Sequence, residues 1–172
     1  ILDRDYSTVL DEEAKRYLRH ISKASAGMDQ LIHALLEYGR LGHEEFSLEE
    51  VALETVLTHV LTELKPDVQR TNARIEWCED LPTVHGNDAL VRIVMSQLLS
   101  NSLRFVSPGS APEIRIYSRQ GKQQGHARIV VEDAGLGIPE EHLSRSFWIF
   151  ERLHAGEGFP GVGMGLAIAY KA

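Results

Sequence analysis

Asp133-Ala134-Gly135-Leu136-Gly137-Ile138 is the stretch on which the reading of this chain turns. It follows residues 127 to 132, a β-branched run that reads as a strand entering a core. A carboxylate therefore sits at a strand end, and two glycines follow it two residues apart. Glycines there let the backbone turn sharply and pass close to something flat or charged. The Asp133 carboxylate can accept a hydrogen bond from an amine held in that space. Taken alone, such a stretch is more often a polar cap on a turn, so its neighbours decide.

Upstream, Glu113 to Tyr117 alternates polar and apolar residues, as a half-buried strand does, and Gly121 and Gly125 bracket a polar turn. The pattern predicts an antiparallel hairpin ending at Asp133. Further upstream, Gly86-Asn87-Asp88 is a turn able to cap a helix running from about Asp88 to Phe105. Val91, Met95, Leu98 and Ser102, with Val94 and Phe105 nearby, are expected to form its packing face. Gln97, Asn101 and Arg104 fall at i, i+4 and i+7 on a different edge. Two amides and a guanidinium are costly to bury without polar ligands. An amide oxygen suits Mg²⁺ and a guanidinium suits phosphate; a solvated helix face fits these three residues equally.

Downstream, Pro139-Glu140-Glu141 is expected to begin a short helix. Phe147-Trp148-Ile149-Phe150 reads as core packing, and residues 151 to 160 read as a mobile polar loop. Gly161-Val162-Gly163-Met164-Gly165 then feeds a helix starting at Leu166. Glycines before a helix make an anion site from free N–H groups, or serve as a plain flexible joint.

The N-terminal third has another character. Leu10, Ala14, Tyr17, Ile21, Ala24, Met28, Leu31, Leu35 and Tyr38 alternate spacings of four and three, a heptad seam on one helix reaching about Gly42. Leu18, Ile32 and Leu36 widen the stripe, so the helix is expected in a bundle of more than two helices whose partner lies outside this chain. A short joint from Leu41 to Phe46 marks a domain boundary. Ser47 is expected to be an N-cap, with Glu50 closing a capping box, for a helix carrying Val51, Val56, Leu57, Val60, Leu61 and Leu64 and ending near Pro66. Ala73 to Trp77 reads as a strand, broken by Leu81-Pro82.

Composition narrows the function classes. A net charge of −7 disfavours a nucleic-acid surface, which needs clustered Lys and Arg. The lone Cys78 rules out an internal disulfide, and a reducing, cytoplasmic setting fits. No apolar run is long enough to span a bilayer.

Taken in order, these pieces resemble the ATP-binding domain of sensor histidine kinases, of the superfamily shared with gyrase, heat-shock chaperones and mismatch-repair ATPases. Gln97-Leu98-Leu99-Ser100-Asn101-Ser102-Leu103-Arg104-Phe105 resembles the N box. Residues 133–138 resemble the first glycine box, Phe147 to Phe150 the F box, and Gly161 to Ile168 the second glycine box. Leu81 to Asp88 is similar to the family's lead-in to the N box, and Arg152 to Gly161 to the loop of kinases coupled to PAS or phytochrome sensors. The heptad helix resembles the second helix of the dimerisation and phosphoacceptor domain.

The resemblance implies an α+β fold: a two-layer α/β sandwich of the Bergerat type over residues 43–172, preceded by a long bundle helix in residues 1–42. It implies ATP and Mg²⁺ as cofactors, a homodimer formed through the bundle, and a response-regulator receiver domain as the partner that takes the phosphoryl group. Asp133 would read the adenine amine, and Gly135 and Gly137 would pass close to the base. Asn101 would hold Mg²⁺, with Gln97 beside it in the nucleotide site, and Arg104 would face phosphate. Gly161, Gly163 and Gly165 would shape the phosphate end, and residues 151–160 would be the ATP lid.

Three departures accompany it. Gln97 stands where the family usually has a second Asn. The family's acceptor histidine is followed by an acid, a basic residue, a Ser, Thr or Asn, and a Pro; His20 is followed by Ile21-Ser22-Lys23-Ala24-Ser25 and is read as a bundle-surface residue. The family's first bundle helix and closing strands are not in the chain, so a piece of a longer kinase is expected, one that does not phosphorylate itself alone. The competing reading is a degenerate kinase module that binds partners without catalysis.

Overall fold

The computed structural model describes residues 10–42, 46–153 and 161–172. Helix α1 (Glu12–Arg40) starts where Asp11 accepts a hydrogen bond from the Ala14 N–H at 2.7 Å, with Glu12 and Glu13 in the first turn and Arg40 in the last. Each charge complements the helix dipole at its own end. None of its residues is buried, and Tyr17, Ile21, Met28, Ile32, Leu35 and Leu36 are exposed. The heptad stripe is therefore present as an uncovered apolar face. Leu31, Ala34 and Tyr38 are partly covered on the side that meets the C-terminal helix.

The remainder forms two layers. Strands β1 (Glu49–Ala52) and β3 (Thr83–Gly86) pair antiparallel. Strand β2 (Arg74–Trp77) lies parallel to β4 (Glu113–Gln120), which pairs antiparallel with β5 (Ala127–Asp133). Helices α2 (Leu53–Glu63), α3 (Lys65–Thr71), α4 (Asp88–Arg104) and α5 (Gly165–Lys171) complete the described elements, with one turn of 3₁₀ helix at Glu140–His142. Alternation along β4 sends Ile114 and Ile116 into the core while Glu113 and Arg115 face out. On the outer face Arg115 meets Glu132 across the strands at 3.3 Å. Val56, Leu57 and Val60 of α2, and Met95, Leu99 and Leu103 of α4, pack on the inner face.

Helix α4 is the spine of the site. Asn87 caps it by accepting from the Leu90 N–H at 3.1 Å, as the turn predicts. Its buried residues are Met95, Leu99, Ser102 and Leu103, so the packing face is rotated from the one expected. Val91, Val94, Leu98 and Phe105 are only half-buried. The Lys171 ammonium of α5 donates to the Tyr38 carbonyl at 2.8 Å and lies 3.9 Å from the Tyr38 ring centroid, tying α5 to α1.

Two expectations are corrected here. Ser47 and Glu50 form no capping box: residues 49–52 are a strand, Val51 is buried opposite Val84, and α2 begins at Leu53 with no side-chain cap. A pairing partner 33 residues away outweighs the local Ser-x-x-Glu signal. The expected break at Leu81-Pro82 holds, and strand β3, which the pattern did not single out, follows it. Phe147, Trp148, Ile149 and Phe150 are not core: they are 44%, 59%, 44% and 51% exposed. The joint residues 43–45, and 154–160 of the expected lid, lie outside the described residues.

Leu99 links the core to the α4 edge that carries Asn101. Truncating a fully buried leucine costs about 2–5 kcal/mol. Leu99→Ala is expected to lower the unfolding free energy by that order, seen as a fall in the denaturant midpoint at unchanged m in an equilibrium unfolding experiment.

Candidate functional site

Strand β5 ends at the cleft. Ile129, Val131 and Asp133 point the same way along it, toward α4, so the alternation that fills the core delivers a carboxylate to the core's edge. Both of its oxygens are held. Oδ1 accepts from the Gly135 N–H at 2.9 Å, and Oδ2 lies 3.1 Å from the Ser102 hydroxyl of α4. The Leu136 N–H donates to the Phe105 carbonyl at 2.9 Å, which pins the turn after β5 to the end of α4.

This closeness demands glycine. A Cβ on Gly135 would lie 2.6 Å from Asp133 Oδ1 and 2.6 Å from the Phe105 carbonyl oxygen. Gly137 has φ +69°, a left-handed conformation, with open space around it. The second glycine segment lies against side-chain ends of the same helix. A Cβ on Gly165 would lie 2.7 Å from Gln97 Oε1 and 3.7 Å from Asn101 Oδ1. One on Gly161 would lie 2.9 Å from Arg104 Nη1. Gly163, at φ +73°, would meet the Glu151 carbonyl oxygen at 2.6 Å.

The residues singled out in the sequence thus come together. Gln97, Asn101 and Arg104 share the α4 edge that faces Gly161 and Gly165, and Asp133 lines the same cleft. Its volume is about 1120 Å³, room for a nucleotide. Among the described residues, the side chains of Gln97, Asn101 and Arg104 have no hydrogen-bond or ion-pair partner within the protein. Their polar capacity is left for whatever occupies the cleft. No group of three or more His, Cys, Asp or Glu side chains is placed to hold a metal ion among the described residues. A cation here would rely on the Asn101 oxygen together with oxygens brought by a ligand.

The structure also adds residues that the pattern did not single out. Helix α1 contributes His33, Glu37 and Arg40 to the rim of the cleft. Burial raises the Glu37 carboxyl above its ordinary range. Ser102, expected only to pack, turns its hydroxyl to Asp133. The one signal in the sequence is its polarity among Met95, Leu99 and Leu103. His20 is exposed on α1, as expected of a surface residue.

A family model described as histidine kinase-, DNA gyrase B-, and HSP90-like ATPase matches residues 86–172. The chain belongs to this ATPase family. Among curated relatives, the ATPase chain is 31% identical over 172 residues to phytochrome-like protein Cph1 of Synechocystis sp., covering 99% of this chain and 22% of Cph1. It is 32% identical to sensor histidine kinase AruS of Pseudomonas aeruginosa, covering 93% of this chain and 17% of AruS. It therefore spans less than a quarter of the length of these relatives. Full-length ShkA in complex with AMPPNP superposes with a TM-score of 0.71 at 24% identity, covering 96% of this chain and 35% of ShkA. Histidine kinase ThkA in complex with response regulator TrrA gives 0.63 at 22% identity, covering 88% and 44%. The α/β fold with its long N-terminal helix is that of histidine-kinase ATP-binding structures. No helix among the described residues is long and apolar enough to cross a membrane.

The two glycines of the first turn are expected to respond differently. Gly137→Ala meets only the left-handed penalty of about 1–2 kcal/mol. Gly135→Ala must also displace the Phe105 carbonyl or the Asp133 carboxylate. Denaturant unfolding should show the larger loss for Gly135→Ala, and calorimetry with ATP should show it losing affinity as well.

Proposed function

We propose that this chain is the ATP-binding catalytic part of a sensor histidine kinase, which passes the ATP γ-phosphate to a histidine for relay to a response-regulator aspartate. The observation that carries this reading is the position of Asp133. It is a fixed carboxylate in a cleft that an unpaired amide and guanidinium edge facing glycine backbone also lines. An acceptor-only group there suits the adenine amine, and the glycine turn lets the base lie close. The Gln97, Asn101 and Arg104 edge with Gly161, Gly163 and Gly165 suits a polyphosphate.

Asn101 would hold Mg²⁺, which keeps most of its ligands as water and phosphate oxygen and so needs only one amide oxygen from the protein. The ion would supply charge neutralisation of the phosphates. Arg104 would add a bidentate contact to a phosphate oxygen. Phosphoryl transfer needs positioning and charge neutralisation more than covalent help, and these residues supply both. In this reading residues 43–172 are the ATP-binding unit and residues 1–42 the second helix of a dimerisation bundle. The uncovered stripe of α1, from Tyr17 to Leu36, supports a homodimer. ShkA was solved with AMPPNP, a non-hydrolysable ATP analogue, and ThkA with a response regulator; both support the assigned ligand and partner.

Asp133→Ala is expected to weaken ATP at least about tenfold, since losing a hydrogen bond to a charged group costs about 1.5–3 kcal/mol. GTP, with a carbonyl in place of the amine, is expected to bind the parent poorly. Calorimetric titration of both nucleotides checks this, and equal affinity for the two discards the adenine assignment.

A second expectation concerns transfer. None of the eight histidines is followed by the family's full acceptor pattern, so γ-labelled ATP should leave no acid-labile, base-stable label on this chain alone. Label should appear on a supplied bundle domain carrying the acceptor. Asn101→Ala should abolish that transfer while retaining binding of metal-free nucleotide. Binding without any transfer to the supplied acceptor would favour the non-catalytic module.

A further inference from the structure

We infer that Ser102 is a positioning residue for base recognition, setting the Asp133 carboxylate in the orientation that reads the adenine amine; this rests on the nucleotide reading above. Ser102 is 6% exposed and sits on the buried face of α4 between apolar neighbours Leu99 and Leu103. A hydroxyl there is unfavourable unless it has a partner. Two acceptors lie within reach: Asp133 Oδ2 and the Leu98 carbonyl oxygen, each at 3.1 Å. The hydroxyl has one proton to give. The Leu98 carbonyl already belongs to the helix ladder, whereas the carboxylate is charged and accepts only. The proton therefore goes to Asp133, because otherwise hydroxyl and carboxylate would face each other oxygen to oxygen.

The consequence is geometric. Asp133 begins a turn, and its side chain would rotate freely if held at one oxygen only. The Gly135 N–H fixes Oδ1 from the turn, and Ser102 fixes Oδ2 from the helix, 31 residues away in sequence. With one lone pair of each oxygen committed, the remaining lone pairs have a set direction relative to the cleft. A recognition hydrogen bond to a carboxylate already oriented avoids the ordering cost at binding. Ser102 itself touches no nucleotide in this account; it acts through Asp133. Its effect should therefore appear only with a base that has an amine to present.

The test compares ATP with purine riboside triphosphate, which carries hydrogen in place of the 6-amino group, by calorimetric titration of the full chain. Ser102→Ala is expected to weaken ATP about tenfold, the order of one charge-assisted hydrogen bond made imperfectly. The amine-free analogue should bind Ser102→Ala and parent alike, with the unfolding midpoint little changed. Ser102→Cys, which keeps the shape but is a far weaker donor, should behave as Ser102→Ala. In an Asp133→Ala background, Ser102→Ala should have no further effect on ATP. Equal loss for both nucleotides, or the same loss without Asp133, would overturn the inference and leave Ser102 a packing residue. Silence of Ser102→Ala beside a damaging Asp133→Ala overturns this inference alone. Failure of Asp133→Ala to alter the preference for ATP removes the reading on which it rests, and the inference with it.

Discussion

Backbone without side chains, pressed against one edge of α4, is the constraint on which the site depends. Gly135 touches the end of the helix at Phe105, and Gly161 and Gly165 lie against Arg104, Gln97 and Asn101. A Cβ on Gly135 would lie 2.6 Å from the Phe105 carbonyl oxygen, which cannot yield without moving the end of the helix, whereas one on Gly161 or Gly165 would push on the Arg104 or Gln97 side-chain end. The two amides and the guanidinium therefore line a cleft whose opposite wall is bare backbone. The apolar face of the same helix supplies the rigidity, through Met95, Leu99 and Leu103 packed on Ile114 and Ile116. One helix thus carries core and site on faces separated by a fraction of a turn.

Strand alternation does the matching work on the sheet. Ile129 and Val131 enter the inner layer, and the next residue in that series is Asp133. The chain needs no special device to aim a carboxylate at the cleft, because the last inward position falls where the sheet runs out. What the fold adds is restraint of that carboxylate by groups from two separate elements.

Much of this was legible, because the signals were local. Asn87 as a cap, the hairpin around Gly121 and Gly125, and the edge formed by Gln97, Asn101 and Arg104 all follow from short-range geometry. Long-range pairing was not legible. Strands β1 and β3 are four residues each, and only their mutual register, with Val51 opposite Val84, reveals them; β1 alone looks like a capped helix start. Phe147 to Phe150 misled in the opposite direction: apolar composition argues for burial, yet these residues lie at the surface beside Tyr170, with the Phe147 and Tyr170 rings 5.3 Å apart. Ser102 was assigned to the right face for an incomplete reason. Helical phase gave its direction, but its partner lies on strand β5.

Helix α5 has a mechanical consequence. It begins at Gly165, beside the Gln97 side chain in the cleft, and its Lys171 donates to the Tyr38 carbonyl of α1. Helical hydrogen bonding fixes the spacing of those two residues along the axis. The floor of the cleft and the long helix therefore share one neighbour, and the cleft's second glycine segment is anchored to α1 as well as to α4.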